Sequence, residues 1–320
     1  MMRPALNSSL QSFLLGSIRR ISHCRTSQAD PSCHTLQDEG LFYTIPEDEM
    51  KDFFQGEPLW GREHDKQRKT FQEMSLMVRR PALEAINCLK QARPGFPSLH
   101  LVLYGRDGAG KTMSLVNTIH FALKNKWFAI NAGLCSYWFK FKWETAPSET
   151  MEGLYNLPMM GVQLLAQIKL QNAQLLCKTL ITVDGVNNLW YGRTQMKKLD
   201  KSHIHSPEFS LSQLLLRSFT NDWSNGAVVV TVDRLAGQPD RRESYMPRYL
   251  LGKEGFEKLD PFIPIHVGNY TEREFYSCVN YYTDRLWLQN PAAQTPEGQK
   301  ELEFLSGRNP RDLKTLCDPL

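Results

Sequence analysis

Gly105-Arg106-Asp107-Gly108-Ala109-Gly110-Lys111-Thr112 satisfies the pattern G-x-x-x-x-G-K-[ST] at every required position. Glycines at those places let backbone N–H groups close around phosphate oxygens. A lysine supplies a point charge for the outer phosphates, and a terminal hydroxyl can ligate magnesium. Gly105, Arg106, Asp107, Gly108, Ala109, Gly110, Lys111 and Thr112 are therefore candidate ligands of a nucleoside triphosphate. Met113, which opens the following helix, completes the set. The positive end of that helix adds to the anion site.

The flanks agree with the motif. Leu99-His100-Leu101-Val102-Leu103-Tyr104 reads as a short apolar strand introduced by the breakers Arg93 to Ser98. After the loop, Leu115, Ile119, Ala122 and Leu123 recur at helical spacing. Strand, glycine loop and helix is the context the motif requires.

Four more strands are predicted: Trp127 to Ile130, Leu180 to Gly185, Ala227 to Val232, and Phe262 to Val267. Helical candidates at Glu208 to Trp223 and Glu254 to Leu259 lie between them. Such alternation argues for a parallel sheet with helices on both faces and a ligand at the carboxyl ends of the strands. Pro264 suits an edge strand or a strand end better than a central position, because it has no backbone N–H to donate to a ladder. Asp184 ends its strand, 73 residues after the loop lysine, and is the candidate Walker B carboxylate. With Thr112 it makes up the expected magnesium set.

The chain has 320 residues, 41% of them hydrophobic and 22% charged, with a formal net charge of +4. No apolar run is long enough to span a bilayer as a helix, so no transmembrane segment is expected. Seven scattered cysteines contain no C-x-x-C pair and point to neither a zinc site nor a disulfide framework.

Residues 1–29 stand apart, with Arg3, Arg19, Arg20 and Arg25, several serines and no acidic residue. Leu10, Phe13, Leu14, Ile18 and Ile21 can share one helical face. This is the profile of a mitochondrial presequence; a secretory signal would place a longer apolar centre after its arginines. Without these four arginines the remainder is formally neutral, which argues against a general polyanion-coating role. Residues 30–70, interrupted by Pro31, Pro46, Gly56, Pro58 and Gly61, read as an extended arm or linker. Phe71 to Gln91 is expected to be helical, with Pro81 at a start or break, so that the core spans 71–268. From Thr271 onward, Phe275, Val279, Tyr282, Leu286, Leu302 and Leu313 suggest a small helical lid over 269–320.

The whole resembles the AAA+/STAND-like branch of P-loop NTPases, in which a lid element near the nucleotide is matched by Gly307-Arg308-Asn309-Pro310-Arg311-Asp312-Leu313 and a polar sensor by Thr231. More narrowly it is similar to the death-associated protein family of the mitochondrial small ribosomal subunit. The carriers are Leu76 to Glu84, the P-loop, Val183 to Trp190, Asn221-Asp222-Trp223, and Leu250 to Ile265. The resemblance implies a GTP- or GDP-binding protein with Mg2+ in the mitochondrial matrix, located in the head of the small subunit. Its implied partners are small-subunit proteins, some small-subunit rRNA, and large-subunit proteins across the subunit interface, with a link to apoptosis. Residues 131–178 depart from the family pattern, and the interval from P-loop to Asp184 is shorter than the resemblance leads one to expect.

Hydrolysis requires a group that orients the attacking water. Many AAA+ enzymes place a glutamate directly after the Walker B aspartate, where this chain has Gly185. The expectation is therefore weak or absent GTPase activity, no assigned catalytic residue, and a mainly structural nucleotide. Arg193, Arg234 and Arg308 are the candidate charge-stabilising fingers. The residues alone leave ATP and GTP open, since no N-K-x-D motif is present; GTP rests on the resemblance. The alternative is a free-standing mitochondrial P-loop NTPase switch or enzyme.

Overall fold

A computed structural model describes residues 24–54, 60, 62–93, 95–171, 178–191, 193–234 and 244–318. An N-terminal arm carries β1 (Phe42–Ile45), α1 (Glu47–Phe54) and α2 (Arg62–Phe71), and leads to β2 (Met74–Met77) and α3 (Arg80–Gln91). Then follow β3 (Leu99–Tyr104), α4 (Lys111–Lys124), β4 (Phe128–Leu134) and α5 (Cys135–Lys140). A small hairpin, β5 (Ala146–Pro147) and β6 (Tyr155–Asn156), precedes α6 (Pro158–Gln171), β7 (Thr179–Asp184) and α7 (Asn188–Tyr191). A second hairpin, β8 (Arg193–Lys197) and β9 (His203–His205), precedes α8 (Ser210–Arg217), β10 (Gly226–Thr231), α9 (Pro247–Leu259) and β11 (Ile263–His266). The lid comprises α10 (Glu272–Asp284), α11 (Pro296–Ser306) and α12 (Pro310–Cys317).

Five strands form one parallel sheet in the order β11-β3-β10-β7-β4. They are the five strands predicted from sequence. Successive side chains point to opposite faces, and both faces are buried. Leu101, Leu103, Ala227 and Val229 join the core beneath α3 and α4, whereas Val102, Val228 and Val230 join the one containing Leu189, Leu215 and Leu251. This explains why the strands read as unbroken apolar runs rather than alternating ones. Pro264 lies on the edge strand β11, opposite Val102. No helix of the described residues is long and apolar enough to cross a membrane.

The region before the P-loop differs from expectation. Met74–Met77 is a strand, not the first part of a helix, because β1 supplies an antiparallel partner in register from Phe42↔Met77 to Ile45↔Met74. Pro81 falls in the first turn of α3, where its missing N–H costs nothing. The segment expected as an arm or linker lies against the body. Tyr43 is fully buried, and its hydroxyl lies 3.1 Å from His120 Nδ1 on α4. His120 Nε2 is 2.8 Å from a Glu49 oxygen, and Lys124 donates to the other.

Residues 1–23 of the expected presequence lie outside the described residues, but residues 24–29 are described, and part of this stretch is packed. Cys24 is buried in the lid cluster with Phe42, Tyr281 and Trp287. Arg25 donates to Glu73 at 2.7 Å, a carboxylate also reached by Arg285 and by the Tyr281 hydroxyl at 2.8 Å each. Phe42 stacks on Tyr281 with centroids 4.2 Å apart. The lid is thus built on the N-terminal arm as well as on the sheet.

The hydrogen bond from His120, assisted by Lys124, holds the Glu49 carboxyl below its ordinary value. A depressed folded-state value stabilises the fold above the ordinary carboxylate range, and that contribution is lost as pH falls through it. Glu49→Gln is expected to lower stability at neutral pH by about 1–3 kcal/mol. In urea unfolding the gap between the two proteins should begin to narrow only as pH falls below about 4, and close once the depressed Glu49 carboxyl is protonated in the folded protein. A gap unchanged through that fall would show that the ionised carboxylate contributes nothing.

Candidate nucleotide site

The P-loop spans the turn between β3 and α4 at the carboxyl end of the sheet, as the strand-loop-helix reading requires. Gly110 caps α4 in the left-handed region, φ 98°, with no side chain in the way of its first turn. Lys111 turns back on the loop, its ammonium donating to the carbonyls of Gly105 at 3.1 Å and Arg106 at 3.2 Å. Burial pushes its pKa down, opposed by the carboxylates of Asp233, Asp107 and Asp184. A partly buried ammonium among backbone oxygens is a site that gains from a phosphate.

The two expected magnesium ligands meet directly: Thr112 Oγ1 donates to Asp184 Oδ2 at 2.7 Å. A hydroxyl and a carboxylate are hard oxygen donors, the chemistry magnesium requires beside phosphate oxygens and water. The donor set therefore fits that ion. Among the described residues no group of three His, Cys, Asp or Glu could hold a metal by itself. Burial raises the Asp184 pKa, resisted by hydrogen bonds from Thr231 and Thr112.

Thr231, the expected polar sensor, is fully buried at the end of β10 and braces the Walker B turn. Its hydroxyl donates to Asp184 Oδ1 and accepts from the Gly185 N–H at 2.8 Å. The strand order explains this: β10 lies between β3 and β7, so its end abuts Asp184. Among the candidate fingers, Arg308 is tied to Glu303. Arg106 places its guanidinium 6.0 Å from the Tyr245 ring centre, and Met113 packs on the first core cluster.

The lid element Gly307 to Leu313 does reach the loop. Asn309 Nδ2 donates to the Asp107 carbonyl at 2.8 Å, while its Oδ1 caps α12 through the Arg311 N–H at 3.0 Å. The Arg311 N–H also donates to the Gly108 carbonyl, 3.2 Å away. Gly108 has φ +77°, and a Cβ there would stand 2.5 Å from Asn309 Oδ1. A side chain at 108 would therefore push the lid away.

Arg79 is a functional residue that sequence reasoning missed. It is 6% exposed, and its Nη1 donates to the Ala109 carbonyl at 2.6 Å. Nε and Nη2 reach the two oxygens of Glu274 at 2.9 and 3.3 Å, and Nη2 also reaches the Gly268 carbonyl at 3.0 Å. The guanidinium lies 4.9 Å from the Tyr270 ring centre. One side chain thus joins P-loop, sheet and lid. The signal available was an arginine directly following the apolar run Leu76-Met77-Val78.

Removing Arg79 strands Glu274, which is 2% exposed, so Arg79→Ala is expected to cost about 3–5 kcal/mol. Asn309→Ala loses the cap of α12 and the tie to Asp107, for about 1–2 kcal/mol. Urea unfolding checks both; a loss within 0.5 kcal/mol, about the size of an ordinary surface substitution, would mean the lid is not anchored through these residues.

Comparison with known proteins places this geometry. The family model described as mitochondrial ribosomal death-associated protein 3 matches residues 76–179 and 176–316. The Bos taurus small ribosomal subunit protein mS29 is 36% identical over 350 residues, covering 92% of this chain and 87% of the relative. The Mus musculus mS29 is 35% identical over 353 residues, covering 92% and 89%. Both alignments are longer than this chain, so the relatives carry residues it lacks. Among solved structures, NtrX from Brucella abortus in complex with ADP aligns with a TM-score of 0.39 at 14% identity, covering 80% of this chain and 53% of that one. On the extent of the family match and of both relatives, the chain belongs to the mitochondrial ribosomal death-associated protein 3 family.

Proposed function

We propose that this chain is a GTP-binding structural component of the mitochondrial small ribosomal subunit in the matrix. The observation that carries its ribosomal role is its 36% identity, over 92% of its length, to a small ribosomal subunit protein. Its place in the head of the subunit, its contacts with small-subunit proteins and some rRNA, and its contacts with large-subunit proteins across the interface follow the family. A formally neutral body suits attachment mainly through neighbouring proteins, with fewer direct RNA contacts than a basic ribosomal protein makes.

The nucleotide has a structural part in this reading. The loop that would hold it is gripped from outside by Asn309, Arg311 and Arg79, so phosphates on its inner side would tie core to lid. With Gly185 in place of a glutamate, turnover is slow. A ligand that binds only the folded state raises stability by mass action.

GTP with Mg2+ is expected to raise the melting temperature of the purified protein, and Lys111→Ala to abolish the rise. No rise in the unmutated protein would remove the nucleotide from the proposal, and turnover of many per second would remove its structural character. Nucleotide released by denaturing native protein identifies the base, with guanine expected. Sedimentation of mitochondrial extract at high salt separates an integral component, which stays with small subunits, from a free-standing NTPase switch, which leaves them.

A further inference from the structure

Gly185 follows Asp184 at the end of β7 with φ +72°. A Cβ built there would stand 2.9 Å from Asn188 Nδ2 and 3.5 Å from the Cβ of Asp233, with Asp233 Oδ2 at 3.9 Å. The space a side chain at 185 would enter is therefore lined by a carboxylate arriving from the neighbouring strand.

Asp233 is held there by its backbone. Its N–H donates to Asn187 Oδ1 at 2.9 Å, and its carbonyl accepts from Asn187 Nδ2 at 2.7 Å. Asn187 is fully buried and also donates to the Leu250 carbonyl. Two residues earlier the ends of β7 and β10 are stitched together, Val186 N–H to the Thr231 carbonyl at 2.9 Å and Gly185 N–H to the Thr231 hydroxyl. The backbone that carries this carboxylate is thus fixed relative to the Walker B turn. Through Asp184 the same turn meets Thr112, so Asp233 stands beside the turn that carries the expected magnesium ligands.

We infer that Asp233 is the carboxylate that orients the attacking water at the outer phosphate of a bound nucleoside triphosphate, in the role that a glutamate at position 185 would otherwise fill. This rests on the proposed nucleotide binding and assigns the residue through which its slow turnover runs. The water oxygen bonds to the terminal phosphorus. The bond from that phosphorus to the bridging oxygen breaks, leaving the electron pair on the diphosphate, and the water proton passes to the Asp233 carboxylate and then to the released phosphate. The products are a nucleoside diphosphate and inorganic phosphate.

Asp233→Asn keeps the shape and the backbone clasp of Asn187 while removing the proton acceptor. The test uses the full chain with GTP and Mg2+ in single-turnover hydrolysis, with melting temperature measured in parallel using a non-hydrolysable triphosphate. Hydrolysis in the variant is expected to fall about 100-fold or more, with unchanged stabilisation by the analogue and partial recovery in Asp233→Glu. Protein purified from cells should shift from carrying diphosphate to carrying triphosphate. Equal rates in wild type and variant, or no hydrolysis in wild type, would overturn the assignment. So would loss of stabilisation in Asp233→Asn alone, which would make Asp233 a binding residue. Absence of stabilisation in the wild type would instead remove the nucleotide reading on which the assignment rests.

Discussion

A loop that turns its N–H groups inward around phosphates must turn carbonyls outward, and buried carbonyls need donors. In this protein the carbonyls of Asp107, Gly108 and Ala109 find them in Asn309, the Arg311 backbone and Arg79. Lys111 takes those of Gly105 and Arg106. This demand for donors organises much of what surrounds the sheet. It fixes where α12 begins, draws Glu274 to the start of α10 as the counter-charge of Arg79, and explains why glycine stands at 108, where the lid comes closest.

The same arrangement makes the site asymmetric in energy. Asp184 is expensive to bury and is kept by two hydroxyl donors, Thr112 and Thr231, whereas Lys111 has only neutral carbonyls as hydrogen-bond partners and more distant carboxylates. A polyphosphate with its magnesium would relieve both at once. Such a site favours retention over release, which suits a cofactor that remains in place. The aspartate inferred to act across the strand ends, beside a glycine at 185 whose φ of +72° disfavours a side chain, suits slow chemistry in the same site.

Much of this was legible in the chain because it is local. The five strands announced themselves as apolar runs, and the P-loop needed only its own eight residues and two neighbours. Asp184 was legible as a strand end, and Pro264 as an edge. What escaped depends on residues far apart. Met74–Met77 has no strand signal strong enough to outweigh its helical spacing until β1 pairs with it. Thr231 was legible as a polar residue of the site, but its bond to Asp184 depends on β10 lying beside β7. Arg79 finds Glu274 195 residues away. Asp233 carries no motif at all, and only the meeting of β7 and β10 brings it to Gly185.

The tie between Asp107 and Asn309 spans 202 residues. A chain that ends between Thr112 and Asn309 keeps the whole P-loop motif but leaves the Asp107 and Gly108 carbonyls without the lid's donors. Retention of the proposed nucleotide would therefore depend on a docked lid and not on the eight-residue motif alone.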